Sequence, residues 1–384
     1  MMVRTGMGMR ILALLLPALV LSGCSTPVSE TPKAVSTDQE LPEETAPVVQ
    51  DAACFELTPY EGCTLITIRD EGKFLVVPAG NEVPDSVPEG CTVLEQPLDH
   101  VYMASTSAMD LADAAGGLAD IAYSSLEADD WYVDDAKRAM ESGSLVYAGK
   151  YSKPDFELLL GGGCDLAVEN TMIYHTPQVK EKLEELGIPV LVERSSYESD
   201  PLGRLEWVKL YGELFGTQDI ADGFYADQKA RIEPLLERQN TGKSVAFFSV
   251  TSDGAVTVRK PGDYITKMIE YGGGVYALND LSVPASDQNA LSTMHLQMED
   301  FYDDAKDADV LIYNSAIEGE IGSIDDLVAK SSVFSDFSAV RSGEVYCTDA
   351  DFFQCVTKSC DFILDVGDIL SGRAETLRTM EKLK

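Results

Sequence analysis

Histidine, tryptophan and the common catalytic motifs are scarce or missing in this sequence. Its 384 residues include three histidines and two tryptophans, and none of its cysteines forms a CxxC pair. Metal sites in proteins need several converging imidazoles, thiolates or carboxylates, so we expect no resident metal and assign no such role to His175 or His295. The motifs GxSxG, GxGxxG and GxxxxGK[ST] are also absent. The sequence gives no positive sign of an enzyme or of a resident cofactor.

Basic residues are few as well, because 29 Lys and Arg stand against 65 Asp and Glu, a formal net charge of −36. A negative field of this size repels nucleic acid and anionic lipid, so we expect neither as a partner. The length predicts two compact units, and 45% hydrophobic residues are enough to fill their cores.

The longest apolar run is too short for a permanent membrane anchor, and it lies at the N-terminus. Arg4 and Arg10 precede Ile11–Leu21, and Leu21-Ser22-Gly23-Cys24 resembles the lipobox of bacterial lipoproteins. The pattern predicts a signal peptide over 1–23, lipid on Cys24, and an extracytoplasmic protein held to the membrane by that lipid. The alternative is an uncleaved anchor with an incidental cysteine. The mature chain then carries 65 acids against 27 bases, a net charge of −38.

Two segments with different patterns follow the signal peptide. Residues 24–51 are rich in Ser, Thr, Pro and Glu without apolar rhythm, which predicts a flexible tether. Residues 52–98 predict a small β-rich extension: Thr64–Ile68 and Phe74–Val77 favour strands, with a tight turn at Asp70-Glu71-Gly72.

The rest of the chain forms two similar halves, 99–216 and 241–384, in which predicted strands alternate with predicted helices. Alternation of this kind predicts a parallel sheet covered by helices on both faces. The predicted fold class is therefore α/β, with two lobes that each contain a mostly parallel sheet flanked by helices. We expect Glu344–Cys347 to be the last strand and a helix from about Phe352 to Leu370 to end the fold.

A long helix over 217–240 is expected to join the two lobes. Within 201–240, apolar residues recur at three- and four-residue steps in two successive runs, which predicts two helices. Thr217 and Asp219 are candidate caps of the second helix. We also predict that Pro234 bends or interrupts it, because proline removes a backbone donor and clashes with the preceding turn.

Seven cysteines remain after Cys24, and disulfides are permitted outside the cytoplasm. We predict a bond between Cys54 and Cys63, or between Cys355 and Cys360, since each pair flanks a short loop. Cys164, which opens a predicted strand, should be free and buried.

Three stretches resemble the substrate-binding proteins of ABC importers for iron complexes and vitamin B12. They are Pro154–Val168, the helix-then-strand text KEKLEELGIPVLV at 180–192, and PLGRLEW at 201–207. The resemblance runs from about Phe55 to Leu370. The chain departs from the family pattern at Cys164, where a proline is usual, and at Asp200, where a subgroup has histidine.

The resemblance implies a monomeric protein that clamps a small-molecule ligand between two lobes, with little hinge motion because one rigid helix joins them. It also implies an ABC transporter permease as partner. In that family one acid on the rim of each lobe pairs with arginines of the permease. The matching positions are Glu157 and, less cleanly, Asp263, although both acids could simply begin helices.

Ligands of open α/β sheets bind beyond the carboxyl ends of the strands, which selects ten of the twelve candidate ligand-binding residues. Trp131 is added because it lies in a polar loop, where an aromatic has less reason to be core, and Arg204 is added for its charge. Each of the twelve taken singly also fits a structural role. They are Ser105, Thr106, Tyr123, Trp131, Glu169, Tyr197, Glu198 and Arg204 in the first lobe, and Thr251, Arg259, Asn314 and Phe352 in the second. Aromatic members such as Tyr123 and Trp131 would wall a large ligand. Arg204 would meet an anionic ligand, or it would pair with Glu206 or Glu198.

The function predicted on these grounds is a lipid-anchored solute-binding protein that delivers an iron complex to an ABC permease. A weakly charged, hydroxamate-like ferric siderophore suits the few arginines best, and cobalamin, another corrinoid or heme is the alternative. An extracytoplasmic lipoprotein enzyme and a purely structural lipoprotein are the rival classes. The first would need a convergent nucleophile and base or a metal cluster, and the second would show no ligand-dependent thermal shift.

Overall fold

The computed structural model describes residues 48–283 and 292–384 of the chain. The predicted signal peptide, the lipidation site Cys24 and most of the predicted tether lie outside these residues. All described residues belong to one compact unit that spans Pro47–Lys384. Within the described ranges, no helix combines the length and the apolar character needed to cross a bilayer.

The N-terminal extension is a four-stranded sheet in the order β1-β2-β3-β4. Its first three strands form antiparallel hairpins, and the fourth returns parallel to β3. The turn predicted at Asp70-Glu71-Gly72 joins β2 to β3, and Asp70 adopts a left-handed backbone conformation with φ of 63°. The strands are β1 (Phe55–Tyr60), β2 (Cys63–Ile68), β3 (Gly72–Val77) and β4 (Cys91–Glu95).

The first lobe contains a five-stranded sheet in the order β11-β10-β5-β6-β7, and all of its pairings are parallel. Parallel pairing and helical crossovers confirm the α/β prediction for this half. Its strands are β5 (Val101–Met103), β6 (Ile121–Ser124), β7 (Val146–Tyr147), the short pair β8 (Gly149–Lys150) and β9 (Lys153–Pro154), β10 (Leu166–Asn170) and β11 (Val190–Glu193). Its helices are α1 (Thr106–Ala114), α2 (Asp134–Ser142), α3 (Phe156–Gly161) and α4 (Pro177–Glu185).

Three helices, rather than the expected two, fill 201–240: α5 (Pro201–Glu206), α6 (Val208–Phe215) and α7 (Gln218–Leu236). The bridging helix α7 has 19 residues, a length of about 28 Å. Thr217 occupies its N-cap position but makes no side-chain capping bond, in contrast to the expectation. Pro234 lies in the last turn, and the helix ends two residues later. A bend at Pro234 stays a prediction.

The second lobe contains a mixed sheet with the main order β15-β13-β12-β16-β17-β18, and β14 pairs with β12. Its centre is parallel, whereas β13, β15 and β18 run antiparallel to their neighbours. The strands are β12 (Ser244–Val250), β13 (Val256–Arg259), β14 (Val275–Tyr276), β15 (Thr293–Leu296), β16 (Val310–Tyr313), β17 (Val345–Thr348) and β18 (Met380–Lys382). The helices are α8 (Tyr264–Tyr271), α9 (Met298–Ala305), α10 (Ser315–Glu318), α11 (Ile324–Lys330), α12 (Ser338–Ser342) and α13 (Ser359–Leu370).

Two expectations for the end of this lobe were wrong. The strand near Glu344–Cys347 is followed by another, β18, which pairs with it. The last helix begins at Ser359 rather than near Phe352. Phe352 and Phe353 lie in the turn before it, with their rings in an edge-to-face contact.

Two buried glutamates fix the start of the folded body. Glu206 accepts hydrogen bonds from the backbone N–H groups of residues 50, 51 and 52, and Glu198 accepts those of residues 53 and 54. Gly203 allows this close approach, since a Cβ there would lie 2.5 Å from the carbonyl oxygen of Asp51. The ordered contacts therefore begin before Ala52, the boundary expected from composition.

Polar contacts close the seam between the lobes beside α7. The carboxylate of Asp110 accepts the backbone N–H of Thr357 at 2.7 Å and its hydroxyl at 3.1 Å. The side chain of Gln354 bonds the backbone of Asp130 and Tyr132, both at 2.9 Å. The lobes are thus joined by side-chain contacts as well as by the bridging helix.

All seven described cysteines are free thiols, so both predicted disulfides were wrong. In the antiparallel β1–β2 hairpin, Cys63 lies opposite Tyr60 near the turn, whereas Cys54 lies at the far end and bonds Arg69 through its carbonyl. Several residues of strand separate the Cα atoms of the two cysteines by well over about 7 Å, which excludes a disulfide. Cys164 is free and buried, as predicted.

Candidate functional site

A cavity of about 740 Å³ lies between the carboxyl ends of the parallel strands of the first lobe and a part of the second lobe that follows β13 and precedes β15. The first lobe contributes the residues that follow β5, β10 and β11, and the second lobe contributes those that follow β13. The turn between β2 and β3 of the extension also reaches it. For the first lobe this is the position at which open α/β sheets bind ligands, whereas β13 runs antiparallel to the centre of its sheet. The volume suits a medium-sized small molecule.

The lining is polar, with eight hydroxyl side chains among its eighteen described residues and one aromatic ring, that of Tyr197. Its charged members are four acids and two bases. The lining residues are Asp70, Ser105, Thr106, Ser107, Asn170, Thr171, Met172, Glu193, Arg194, Ser196, Tyr197, Glu198, Ser199, Lys260, Pro261, Gly262, Asp263 and Ser292.

The floor of the cavity is organised around the buried carboxylate of Glu193, at the end of β11. Glu193 accepts the hydroxyl of Ser105 at 2.7 Å and the backbone N–H of Ser195 at 2.8 Å. Ser105 occupies the N-cap position of α1 but makes no capping bond, because its hydroxyl is committed to Glu193. The first N–H groups of α1 therefore keep their capacity to bond oxygen atoms of a ligand.

Arg194 is the cation that the extension contacts most closely. Its guanidinium donates to the carbonyl oxygen of Arg69 at 2.9 Å and to Asp70 at 3.1 Å, and it lies 3.8 Å from Glu71. It also lies over the ring of Tyr197, 4.6 Å from the centroid. The positive charge of Arg194 is thus balanced by acids from the extension.

Sequence comparison decides the family. Residues 104–352, about two thirds of the chain, match the model of the periplasmic binding protein family. The chain belongs to this family. Its members are solute-binding proteins that work with ABC transporter permeases, and the resemblance found in the sequence is thereby confirmed. The extension, residues 52–98, precedes the matched segment.

Two lipoproteins of Methanocaldococcus jannaschii are similar to this periplasmic binding protein. One is 25% identical over 94% of both chains, and the other is 23% identical over 79% of this chain and 73% of its own. Both are described as uncharacterised lipoproteins.

Solved structures share the fold at low identity. A periplasmic binding protein of Veillonella parvula superposes with a TM-score of 0.59 at 14% identity, covering 83% of this chain and 98% of its own. The periplasmic heme-binding protein HutB of Vibrio cholerae gives 0.55 at 16%, covering 70% and 98%. The vitamin B12-binding protein BtuF of Vibrio cholerae gives 0.51 at 16%, covering 73% and 99%.

Four of the twelve predicted ligand-binding residues line the cavity of this periplasmic binding protein: Ser105, Thr106, Tyr197 and Glu198. The hydroxyl of Tyr197 bonds that of Thr171 at 3.2 Å. The carboxylate of Glu198 is committed elsewhere, since it accepts two backbone N–H groups of the extension and the indole N–H of Trp207. Ser105, Thr106 and Tyr197 are thus the better candidates for ligand contact.

Arg204, Arg259 and Phe352 do not line the large cavity. Arg204 and Phe352 line a cavity of about 10 Å³, room for about one water molecule. Arg204 lies over the ring of Tyr264, 4.2 Å from its centroid, and its Nε has no acceptor within the described ranges. Arg259 is buried and paired with Asp263 at 2.9 Å. The structure therefore places all three outside the large cavity.

Four of the five remaining candidates have local structural partners outside the cavity lining. Trp131 is buried and donates its indole N–H to the hydroxyl of Ser124 at 3.0 Å. Tyr123 is buried against Gly162, where a Cβ would collide with the phenol oxygen. Thr251 bonds the carbonyl oxygen of Ala255 at 3.0 Å, and Asn314 caps α10. The expected aromatic wall of Tyr123 and Trp131 is part of the core.

Glu169 is fully buried on β10, and neither carboxylate oxygen has a hydrogen-bond partner among the described residues. Burial raises its pKa to about 8. The group is therefore largely protonated at neutral pH. It does not line either cavity.

The two expected docking acids differ in exposure. Glu157 is exposed in the first turn of α3, as a docking residue must be. Asp263 is buried, caps α8 through the N–H of Ile265, pairs with Arg259 and faces the large cavity. Its expected position on an exposed rim is corrected, because the ion pair turns the carboxylate inward.

One surface group within the described ranges could hold a cation: Asp99, His100 and Asp165, whose ligand atoms lie within 4.8 Å of one another. Hydrogen bonds within this group already explain why its three side chains lie close together. Asp165 accepts the backbone N–H groups of residues 99 and 100, and the His100 ring faces Asp99 at 2.6 Å. The group gives no independent sign of a metal site.

Sequence reasoning missed several lining residues, for two different reasons. Asn170, Glu193 and Arg194 lie at the ends of β10 and β11, so the strand-end rule could have selected them. Asp70 offered no such signal, because it belongs to a hairpin that only the tertiary fold brings to the cavity.

Proposed function

We propose that this protein captures a weakly charged ferric siderophore of the hydroxamate kind in the cavity between its lobes and delivers it to an ABC permease. The observation that carries the proposal is the lining: eight hydroxyl side chains and one aromatic ring around about 740 Å³. Such a surface can exchange hydrogen bonds with an oxygen-rich chelate. We further propose that lipid on Cys24 holds the protein at the outer face of the cell membrane.

The charge balance supports a chelate without strong negative charge. Asp70 and Glu71 stand close to Arg194, and Arg259 pairs with Asp263. A highly anionic catecholate complex would need unpaired basic groups to offset its desolvation. The chain as a whole carries −36 and would repel such a complex at long range.

Heme or a corrinoid is the alternative, because proteins that bind them share this fold. Large flat ligands favour aromatic walls. In the described lining, Tyr197 supplies the one ring, and histidine is absent from it. We therefore rank these ligands second.

Isothermal titration of the purified protein with a neutral ferric trihydroxamate complex, cobalamin and hemin tests the proposal. We expect the trihydroxamate to bind with a Kd of about 1 μM or tighter, and the other two at least about tenfold more weakly. Tighter binding of hemin or cobalamin would show that the proposed ligand is wrong and would assign that molecule in its place. Failure to bind any of the three would overturn the proposed ligand class.

A pair of matched variants checks that the cavity is the binding site. Thr106→Val removes a lining hydroxyl at nearly constant shape, and we expect affinity for the trihydroxamate to fall about three- to tenfold. Thr58→Val makes the same change on the exposed face of β1 and should leave affinity unchanged. Equal affinities of the two variants would argue against this cavity.

A further inference from the structure

The hairpin turn between β2 and β3 is part of the ligand cavity although it lies far outside the segment that defines the family. Asp70, at the tip of this turn, lines the cavity. The family match begins at residue 104. The extension is therefore placed to influence which ligands the cavity accepts.

The turn is held in place by contacts that do not need the Asp70 side chain. Arg194 donates to the backbone carbonyl of Arg69 at 2.9 Å. The neighbouring Glu71 side chain is 7% exposed and receives a hydrogen bond from the hydroxyl of Tyr174. These contacts anchor the hairpin against the first lobe on either side of its tip.

The Asp70 carboxylate itself is 73% exposed, and it lies 3.1 Å from Arg194. Ion pairs exposed to this extent contribute little to stability. The charge of Asp70 nevertheless affects the electrostatic potential in the cavity, because Arg194 is one of the two basic residues in the described lining. A ligand in the cavity meets Arg194 and Asp70 together.

We propose that Asp70 is a specificity-determining residue: it offsets the positive charge of Arg194 and so makes the cavity favour neutral chelates over anionic ones. The proposal rests on the proposed function and adds to it the charge class of the ligand. It also assigns a role to the extension, which supplies a charge at the edge of a site formed by the two lobes.

The test compares Asp70→Asn with the wild-type protein for two iron complexes, a neutral ferric trihydroxamate and a trianionic ferric tris-catecholate. Asparagine tolerates the left-handed conformation of residue 70, so the turn is kept. We expect the ratio of tris-catecholate to trihydroxamate affinity to rise about tenfold in low salt and to shrink as salt is added.

Glu56→Gln is the matched control, since it removes one negative charge from an exposed position of the same extension. It should leave the affinity ratio unchanged. Arg194→Gln should shift the ratio in the opposite direction, because it leaves the negative charge of Asp70 without its cation. If Arg194→Gln does not fold, the comparison of Asp70→Asn with Glu56→Gln decides alone.

The outcomes separate this proposal from the proposed function. If the wild-type protein binds neither complex, the proposed ligand class fails. If it binds the trihydroxamate but Asp70→Asn changes the ratio no more than Glu56→Gln does, the role of Asp70 is refuted while the proposed function stands. A rise in the ratio for Arg194→Gln would also refute it.

Discussion

Replacing Glu169 by glutamine should make the protein less sensitive to alkaline pH. The carboxyl group is fully buried, and both of its oxygens lack hydrogen-bond partners within the described residues. Burial raises its pKa from 4.5 to about 8, since the charged form would lose its hydration. The unfolded chain ionises above pH 4.5, whereas the folded chain resists ionisation until about pH 8.

The sign and size of the effect follow from proton linkage. Between these two pKa values the folded state binds more protons than the unfolded state, so the free energy of unfolding falls as pH rises. One pKa unit corresponds to about 1.4 kcal/mol, and the full shift therefore corresponds to about 5 kcal/mol, as an order of magnitude. The contribution of protonated Glu169 to the free energy of unfolding is fully present below pH 4.5 and is lost by about pH 8.

Urea unfolding of the wild-type protein and Glu169→Gln, followed by circular dichroism between pH 5 and 8.5, measures this loss. Glutamine cannot ionise, so the variant should gain stability relative to the wild type steadily across this range. Glu157→Gln, which changes an exposed acid, controls for the loss of a surface charge. Parallel curves for the wild type and Glu169→Gln would refute the reasoning.

Three further changes address the other acids. Glu157→Arg should abolish uptake while ligand affinity is kept, because it would place like charges at the permease contact. Transport assays test this, and Glu181→Arg, which changes an exposed acid on α4, is the control. Asp263→Ala should lower the free energy of unfolding by about 3–5 kcal/mol, since it leaves Arg259 buried without its partner. A loss below about 1 kcal/mol in a denaturant titration would contradict this prediction. Glu206→Gln should cost about 2–3 kcal/mol by the same measurement, because the amide keeps one acceptor oxygen but turns its NH2 toward the N–H of Gln50 and the ammonium of Lys209. An unchanged midpoint would argue against it.

The alternation of strands and helices was enough to predict the two lobes, because periodicity and turn residues are local properties of the chain. Local patterns could not show that β13, β15 and β18 run antiparallel, since strand direction depends on which neighbour each strand meets. The break between α5 and α6 at Trp207 also escaped notice, because both helices continue the same apolar rhythm.

Sequence reasoning selected residues of the cavity lining where the residue follows a strand directly, as for Ser105 and Thr106. It failed for Trp131, where a polar stretch of sequence concealed a buried ring with a hydrogen-bond partner. Arg259 and Asp263 were assigned separate roles, although they form one ion pair. Residue type and position in an element do not reveal which charged side chains neutralise each other. That pairing determines which charged groups stay available to bind a ligand.

The bonds from Glu198 and Glu206 to the backbone of residues 50–54 mean that the segment by which the family is recognised is not the segment that can fold alone. A chain begun at residue 104 would keep both carboxylates in the interior and lose five N–H donors that solvate them. Buried carboxylates deprived of donors are costly, by several kcal/mol each. A unit that folds alone therefore includes residues 50–54, and fragments that lack them should be recovered as unfolded or aggregated chains.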